Sequence, residues 1–100
     1  MTNHAETDVS TAAILSRVMA AREHCQAFTA DERTSPAERK AAIAANLMLD
    51  GLLDTYGQDV MAEKWDAALF TLEALSRAHD SLGNSTRHTF RTIYRALAGR

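Results

Sequence analysis

The chain has 100 residues, of which 46% are hydrophobic and 24% charged, and its formal net charge is −2. This length allows one domain with one hydrophobic core and excludes a second. No apolar run approaches the roughly 20 residues of a membrane span, and the polar first nine residues lack the features of a secretory signal. We therefore expect a cytoplasmic protein without membrane contact, in which residues 1–9 form a flexible segment ahead of a single domain over 10–100.

The fold is predicted to be all-α. Proline occurs once and glycine four times, and the helix-favouring residues alanine, leucine, glutamate and arginine outweigh the β-branched and aromatic runs typical of strands. Turn and capping residues divide the chain into four predicted helices, at about residues 10–28, 36–56, 59–82 and 85–98. Because the connections between them are short, we expect a compact antiparallel four-helix bundle.

Capping residues mark the predicted helix ends. Helix 1 should begin near Asp8 or Ser10, which are good N-caps. Helix 2 has the capping-box sequence Ser35-Pro-Ala-Glu38, in which each of the two side chains can accept a hydrogen bond from the other residue's backbone N–H. Helix 3 should begin at Gln58 or Asp59, and helix 4 at Asn84 or Ser85. The glycines predicted to end helices 2, 3 and 4 are Gly57, Gly83 and Gly99.

Apolar residues that recur in steps of three and four define the predicted core face of each helix. They are Ile14, Val18, Ala21, Cys25 and Phe28 in helix 1; Ala41, Ala45, Met48, Leu49, Leu52 and Tyr56 in helix 2; Met61, Trp65, Ala68, Leu72, Leu75, His79 and Leu82 in helix 3; and Phe90, Ile93, Tyr94 and Leu97 in helix 4. His79 is interpreted as a core or boundary residue, and Cys25 as a core residue.

Ile43, Leu47 and Phe70 lie nearly opposite these core faces, at about 100° per residue. Their neighbours around the helices are largely acidic: Asp50, Asp54, Glu63 and Asp66. One interpretation is that the central helices of the bundle, helix 2 above all, contact neighbours on two sides. The other is that the three apolar residues bind another chain, because an interface commonly has apolar anchors within a polar rim.

No residue pattern predicts catalysis. Helical di-iron sites need Glu-x-x-His on two helices, and the sequence contains none. The four histidines lie on separate segments without metal-ligand spacing. Cys25 and His24 are adjacent and therefore point about 100° apart, so they do not pair as nucleophile and base. We predict no enzyme activity, no metal and no cofactor.

Arg87, Arg91 and Arg95 recur every fourth residue beside the apolar face of helix 4. Residues 84–100 carry four arginines and no acid, whereas residues 1–83 carry seven basic and thirteen acidic residues. The arginines are interpreted as a solvated strip or as one that pairs with acids of the same bundle. Contact with a partner protein is an alternative. Another is DNA or RNA binding, in which helices 3 and 4 would resemble a helix-turn-helix and phosphate contacts would give weak, salt-dependent affinity.

These features favour a small non-enzymatic inhibitor or adaptor that docks on a larger protein, such as one with a basic cleft for nucleic acid. The predicted partner-binding residues are Ile43, Leu47, Asp50, Asp54, Glu63, Asp66 and Phe70. Phage-encoded anti-CRISPR and anti-restriction inhibitors fit this physical description by analogy, and no motif assigns the chain to them. The alternatives are a homodimer formed through the same face and a DNA- or RNA-binding regulator that uses Arg87, Arg91 and Arg95.

Overall fold

The computed structural model describes residues 10–54, 58–78 and 83–100. Four α-helices account for most of them: α1 over Thr11–Ala30, α2 over Pro36–Leu53, α3 over Gln58–Arg77 and α4 over Gly83–Ala98. No strand occurs in this part of the chain, and the helices pack on one another as a bundle. The predicted all-α four-helix fold is confirmed, while the predicted flexible segment 1–9 lies outside the described residues.

Local capping signals set the starts of α1 and α2. The Ser10 Oγ accepts a hydrogen bond from the backbone N–H of Ala13 at 3.1 Å. In the capping box of α2, the Ser35 Oγ accepts from the Glu38 N–H at 3.2 Å, and the Glu38 Oε1 accepts from the Ser35 N–H at 3.0 Å. Because these bonds satisfy donors that a first helical turn leaves free, both starts follow from the sequence as predicted.

The ends of α1 and α2 differ from the prediction. α1 continues past Phe28 to Ala30 and stops where the next residue adopts an extended backbone. α2 ends at Leu53 rather than at Tyr56, with Asp54 as its C-cap. The last described hydrogen bond of this helix runs from the Asp54 N–H to the Asp50 carbonyl, at 3.1 Å. The predicted roles of Tyr56 and Gly57 lie outside the described residues.

α3 is shorter than predicted, and α4 begins earlier. α3 ends at Arg77 rather than at Leu82, where the N–H of Ala78 bonds to the carbonyl of Leu75 in a tighter turn that ends the α-helical ladder. α4 begins at Gly83, so this glycine is a helical residue and not the one that closes α3. The predicted core positions His79 and Leu82 fall outside the described residues.

The predicted core faces meet inside the bundle. Its buried apolar residues are Ile14, Val18, Ala21, Cys25, Ala41, Ala42, Ala45, Leu49, Leu52, Met61, Ala68, Leu72, Phe90, Ile93 and Leu97. Phe28, Met48, Trp65, Leu75 and Tyr94 are partly buried and pack against them. The spacing of three and four residues therefore identified the buried side of every helix.

The helix at the centre of the packing is α4, not α2. α4 packs extensively against α3 and α1 and also contacts α2, whereas the contact between α2 and α3 is small. Two polar residues of α4, Thr86 and Thr89, are also buried. The interpretation of helix 2 as the central helix is therefore wrong, since the space between the other three helices is filled by α4.

The carboxyl end of α4 is held by backbone hydrogen bonds of its own and by one hydrogen bond from α3. The N–H groups of Gly99 and Arg100 bond to the carbonyls of Ala96 and Arg95, at 3.1 and 2.8 Å, and Gly99 has a φ of 81°. This is the Schellman arrangement, in which glycine takes the left-handed position. The Trp65 Nε1 donates to the Leu97 carbonyl at 2.9 Å, and the Arg17 guanidinium lies 5.5 Å from the Trp65 ring centroid. As predicted, α4 ends before Gly99.

Candidate protein-binding surface

Large apolar side chains lie on the outside of α2 and α3. Phe70 is 75% exposed, Leu47 is 67% exposed and Ile43 is 49% exposed. All three were predicted to bind a partner, and none belongs to the core. Contrary to the first of the two interpretations, they are not covered by neighbouring helices. We call the outer sides of α2 and α3, which carry these three residues, the α2–α3 face.

Helix geometry explains the exposure of Phe70. Residues two positions apart point about 160° away from each other around a helix, and Leu72 of α3 is fully buried. Phe70 therefore points away from the core, between Ala67 and Ala74, which are exposed too. Because alanine side chains are short, the phenyl ring projects above its surroundings.

An open groove of about 240 Å³ lies between α2 and α3. Its walls are formed mainly by small or apolar residues, including Met48, Gly51, Leu52, Ala67 and Ala68. It exists because α2 and α3 make little contact with each other. Leu47 and Phe70 belong to the two helices that form the groove, and neither is among its lining residues.

Ile43 and Leu47 also line a depression of about 290 Å³ between α1 and α2, with Gln26, Thr29 and Asn46. The structure therefore brings Ile43 and Leu47 together on one ridge. Phe70 is exposed on the next helix, α3.

The predicted carboxylates divide into two kinds. Asp54, Glu63 and Asp66 are exposed, and none forms an ion pair with another described residue. Asp50 behaves differently, because its Oδ1 lies 3.1 Å from the Nε of Arg22 on α1. The two atoms are not aligned as a hydrogen bond, so the contact is an ion pair that ties α2 to α1. The unpaired negative charge is thus near the end of α2 and in the first half of α3, where Lys64 is also exposed.

The three predicted arginines of α4 do not form a uniform strip. Arg87 is half-buried and already engaged within the molecule. Arg91 and Arg95 are exposed and line an open groove of about 410 Å³ between α3 and α4. Neither makes an ion pair with a carboxylate in the described part of the chain, so internal pairing does not account for them.

Burial raises the pKa of the Cys25 thiol from 9.0 to about 11. The side chain is 1% exposed and lies in the core, as predicted. The thiolate is the reactive form of cysteine, and a thiol with this pKa stays protonated near neutral pH. Cys25 therefore packs as a small apolar residue and supplies no nucleophile.

A groove of about 460 Å³ beside the α1–α2 connection was not predicted from the sequence. Its lining includes His24, Asp31, Arg33, Glu38 and His88. The Arg33 guanidinium donates two hydrogen bonds to the Asp31 carboxylate, of 3.1 and 3.0 Å, and holds the pKa of that carboxyl below its ordinary value. The hydrogen bond from the Ser35 N–H likewise lowers the pKa of Glu38. Among the described residues, no group of three or more His, Cys, Asp or Glu is placed to hold a metal ion.

No protein-family model matches the chain, and comparisons with curated proteins and with solved structures found no significant match. Within residues 10–54, 58–78 and 83–100, none of the helices has the length and apolar character needed to cross a bilayer. The surfaces themselves are therefore the basis for assigning a function.

Proposed function

We propose that this protein is a non-enzymatic helical protein-binding module, an inhibitor or adaptor that docks its α2–α3 face on a larger protein. The observation that carries the proposal is the exposure of Phe70 and Leu47, at 75% and 67%. Isolated exposed apolar residues are common, but a group of them on adjacent helices is typical of an interaction site. Neither residue contributes to the core, so the fold does not account for their presence.

The α2–α3 face has a projecting aromatic side chain and an apolar groove, as the centres of protein interfaces commonly do. Phe70 projects between Ala67 and Ala74 and can enter a pocket of the partner, while the groove between α2 and α3 can accept an apolar side chain in return. Burying a phenylalanine or leucine that is otherwise exposed contributes about 2 kcal/mol each. A few aromatic and aliphatic anchors of this kind carry most of the binding energy in protein interfaces.

The charges around these anchors favour a basic partner. Asp54, Glu63 and Asp66 are exposed without ion pairs among the described residues. Unpaired carboxylates attract a basic surface over distances up to the Debye length, about 10 Å at 0.1 M salt. They therefore increase the association rate and exclude acidic partners more than they add to the affinity.

Paired variants test the proposal. Leu47→Ser and Phe70→Ser remove the anchors, and Met19→Ser is the control, because Met19 is 47% exposed on α1, outside the α2–α3 face. Circular dichroism first establishes that all three variants retain the helical fold. Proteins captured from the source cell on each immobilised variant are then quantified by mass spectrometry, with nuclease treatment. We expect Leu47→Ser and Phe70→Ser to reduce capture of the same partner at least about tenfold, and Met19→Ser to leave it unchanged.

Two results would overturn the proposal. If Phe70→Ser unfolded the protein, Phe70 would be a packing residue and the main argument would fail. If sedimentation showed a dimer that Phe70→Ser dissociates, the α2–α3 face would bind a second copy of this chain rather than a different protein.

A further inference from the structure

A second surface lies between α3 and α4 and is separate from the α2–α3 face. Four arginines line its groove of about 410 Å³: Arg77 from the end of α3, and Arg91, Arg95 and Arg100 from the last turns of α4 and the residue after Gly99. Only Arg91 and Arg95 belong to the predicted strip, and Arg87 is not part of the lining. The groove is therefore formed by residues of both α3 and α4.

The groove carries a net positive charge. Glu73 is the only acidic side chain among its described lining residues, and its Oε2 lies 3.1 Å from the Nη2 of Arg77, within an i, i+4 pair on α3. Arg91, Arg95 and Arg100 make no ion pair with a described side chain. Three guanidinium groups are thus left to bind an anion, and each can hold a phosphate with two hydrogen bonds.

The arrangement of these groups suits an extended anion. Arg91 and Arg95 are four residues apart on one side of α4, a rise of about 6 Å along the helix axis. Tyr94 lies between them in sequence and lines the same groove, with the Arg100 guanidinium 6.0 Å from its ring centroid. Positive charges along a groove, next to an aromatic ring, are the combination used to bind the backbone and bases of a single strand.

We propose that this groove binds the sugar–phosphate backbone of single-stranded nucleic acid. A duplex fits less well, because reading the major groove needs a helix with a broad free side. α4 packs against all three other helices, and its exposed side chains over residues 86–98 are those of His88, Arg91 and Arg95. An acidic peptide would use the guanidinium groups but offers no base to lie beside the half-buried Tyr94 ring.

Fluorescence anisotropy with labelled DNA and RNA strands of about twelve nucleotides tests this proposal. The variant Arg91→Ala/Arg95→Ala removes two charges from the groove. The control Lys40→Ala/Lys64→Ala removes the same charge from exposed positions outside it. At about 50 mM salt we expect the arginine variant to bind about tenfold more weakly and the lysine variant to bind like the wild type. The negative slope of log K against log salt should decrease in magnitude by about 1.4, at about 0.7 for each lost phosphate contact on a single strand.

Three outcomes would overturn the proposal: equal losses in the arginine and lysine variants, tighter binding of a duplex of the same length, or equal binding of an oligoglutamate peptide. Tyr94→Leu should also lower the affinity for a single strand at least about fivefold, because base stacking on an aromatic ring contributes about 1–3 kcal/mol. Phe70→Ser should leave it unchanged, so failure of this proposal and failure of the proposed protein docking are distinguishable.

Discussion

The helices α2 and α4 contrast in apolar content and in burial. Eleven of the eighteen residues of α2 are apolar, yet Ile43 and Leu47 are exposed. Only six of the sixteen residues of α4 are apolar, yet α4 packs against every other helix and buries Thr86 and Thr89. Burial in this small bundle is thus set by where a helix lies among its neighbours. The apolar residues of α2 in excess of its core face therefore remain on the surface.

The largest expected effect on stability comes from truncating a buried residue of α4, compared with an exposed residue of α2. Ile93 is 0% exposed and Leu47 is 67% exposed. Ile93→Ala should lower the free energy of unfolding by about 3 kcal/mol, because it leaves a cavity in the core. Leu47→Ala should change it by less than about 0.5 kcal/mol. Urea unfolding followed by circular dichroism measures both, and equal losses would show that the contrast between the two helices is wrong.

The second prediction concerns how the end of α4 is held. Trp65→Phe removes the hydrogen bond to the Leu97 carbonyl and weakens the contact with Arg17. We expect a loss of about 2 kcal/mol in the free energy of unfolding. Arg17→Met keeps an unbranched side chain over the ring and should lose about 0.5 kcal/mol. If Trp65→Phe had the smaller effect, the indole hydrogen bond would not be what fixes this end.

Replacing glycine by alanine should have opposite effects on stability at Gly99, after α4, and at Gly51, within α2. A Cβ at Gly99 would lie 2.6 Å from the Arg17 Nε, and φ is 81° there, so Gly99→Ala should destabilise the fold by about 1.5 kcal/mol. A Cβ at Gly51 would meet nothing within 4 Å, so Gly51→Ala should stabilise α2 by about 0.5–1 kcal/mol. Thermal unfolding of the two variants measures both shifts. Shifts in the same direction would contradict this account.

A smaller effect on stability is expected at the start of α2. The start of this helix is set by the local capping sequence and not by packing against other helices. Ser35→Ala removes the Oγ that accepts from the Glu38 N–H and should lower the free energy of unfolding by about 1 kcal/mol. The control is Ser16→Ala, at an exposed position inside α1, which should not destabilise the protein because alanine favours helix. Chemical denaturation of both proteins provides the comparison.

The smallest effect should depend on pH. The pKa of Glu38 is lowered below its ordinary 4.5, chiefly by the hydrogen bond from the Ser35 backbone N–H. A carboxyl with a lowered pKa in the folded state contributes stability above its ordinary pKa and loses it as the pH falls. The stability advantage of the wild type over Glu38→Gln should therefore be present at neutral pH and decline below pH 4.5. An advantage that grew on acidification would contradict the sign.

The sequence predicts those features of the fold, helix caps and buried helix sides, that depend on residues close together in the chain. The capping box at Ser35 and the cap at Ser10 follow from four-residue patterns, and the buried sides follow from helical spacing. The exposed position of Phe70 was one of two open interpretations. Spacing alone did not decide between them, because it gives the direction of a side chain but not whether another helix lies there.

The remaining features depend on contacts between distant parts of the chain. The ion pair of Asp50 joins α2 to Arg22 of α1, and it removes one carboxylate from the predicted charge of the α2–α3 face. The arginine groove combines Arg77 with residues of α4 that lie on a separate helix. Neither arrangement is indicated by a pattern of neighbouring residues in the sequence. The ion pair follows from the direct packing of α1 on α2, and the arginine groove from the packing of α4 on α3, which the low apolar content of α4 does not indicate.

The central position of α4 has a consequence for biosynthesis. A ribosome makes α1, α2 and α3 before the helix that fills the space between them. Until Phe90, Ile93 and Leu97 have emerged, the apolar sides of the three earlier helices lack their common partner. The domain should therefore complete its fold as one unit only after α4 has been synthesised, rather than helix by helix during translation.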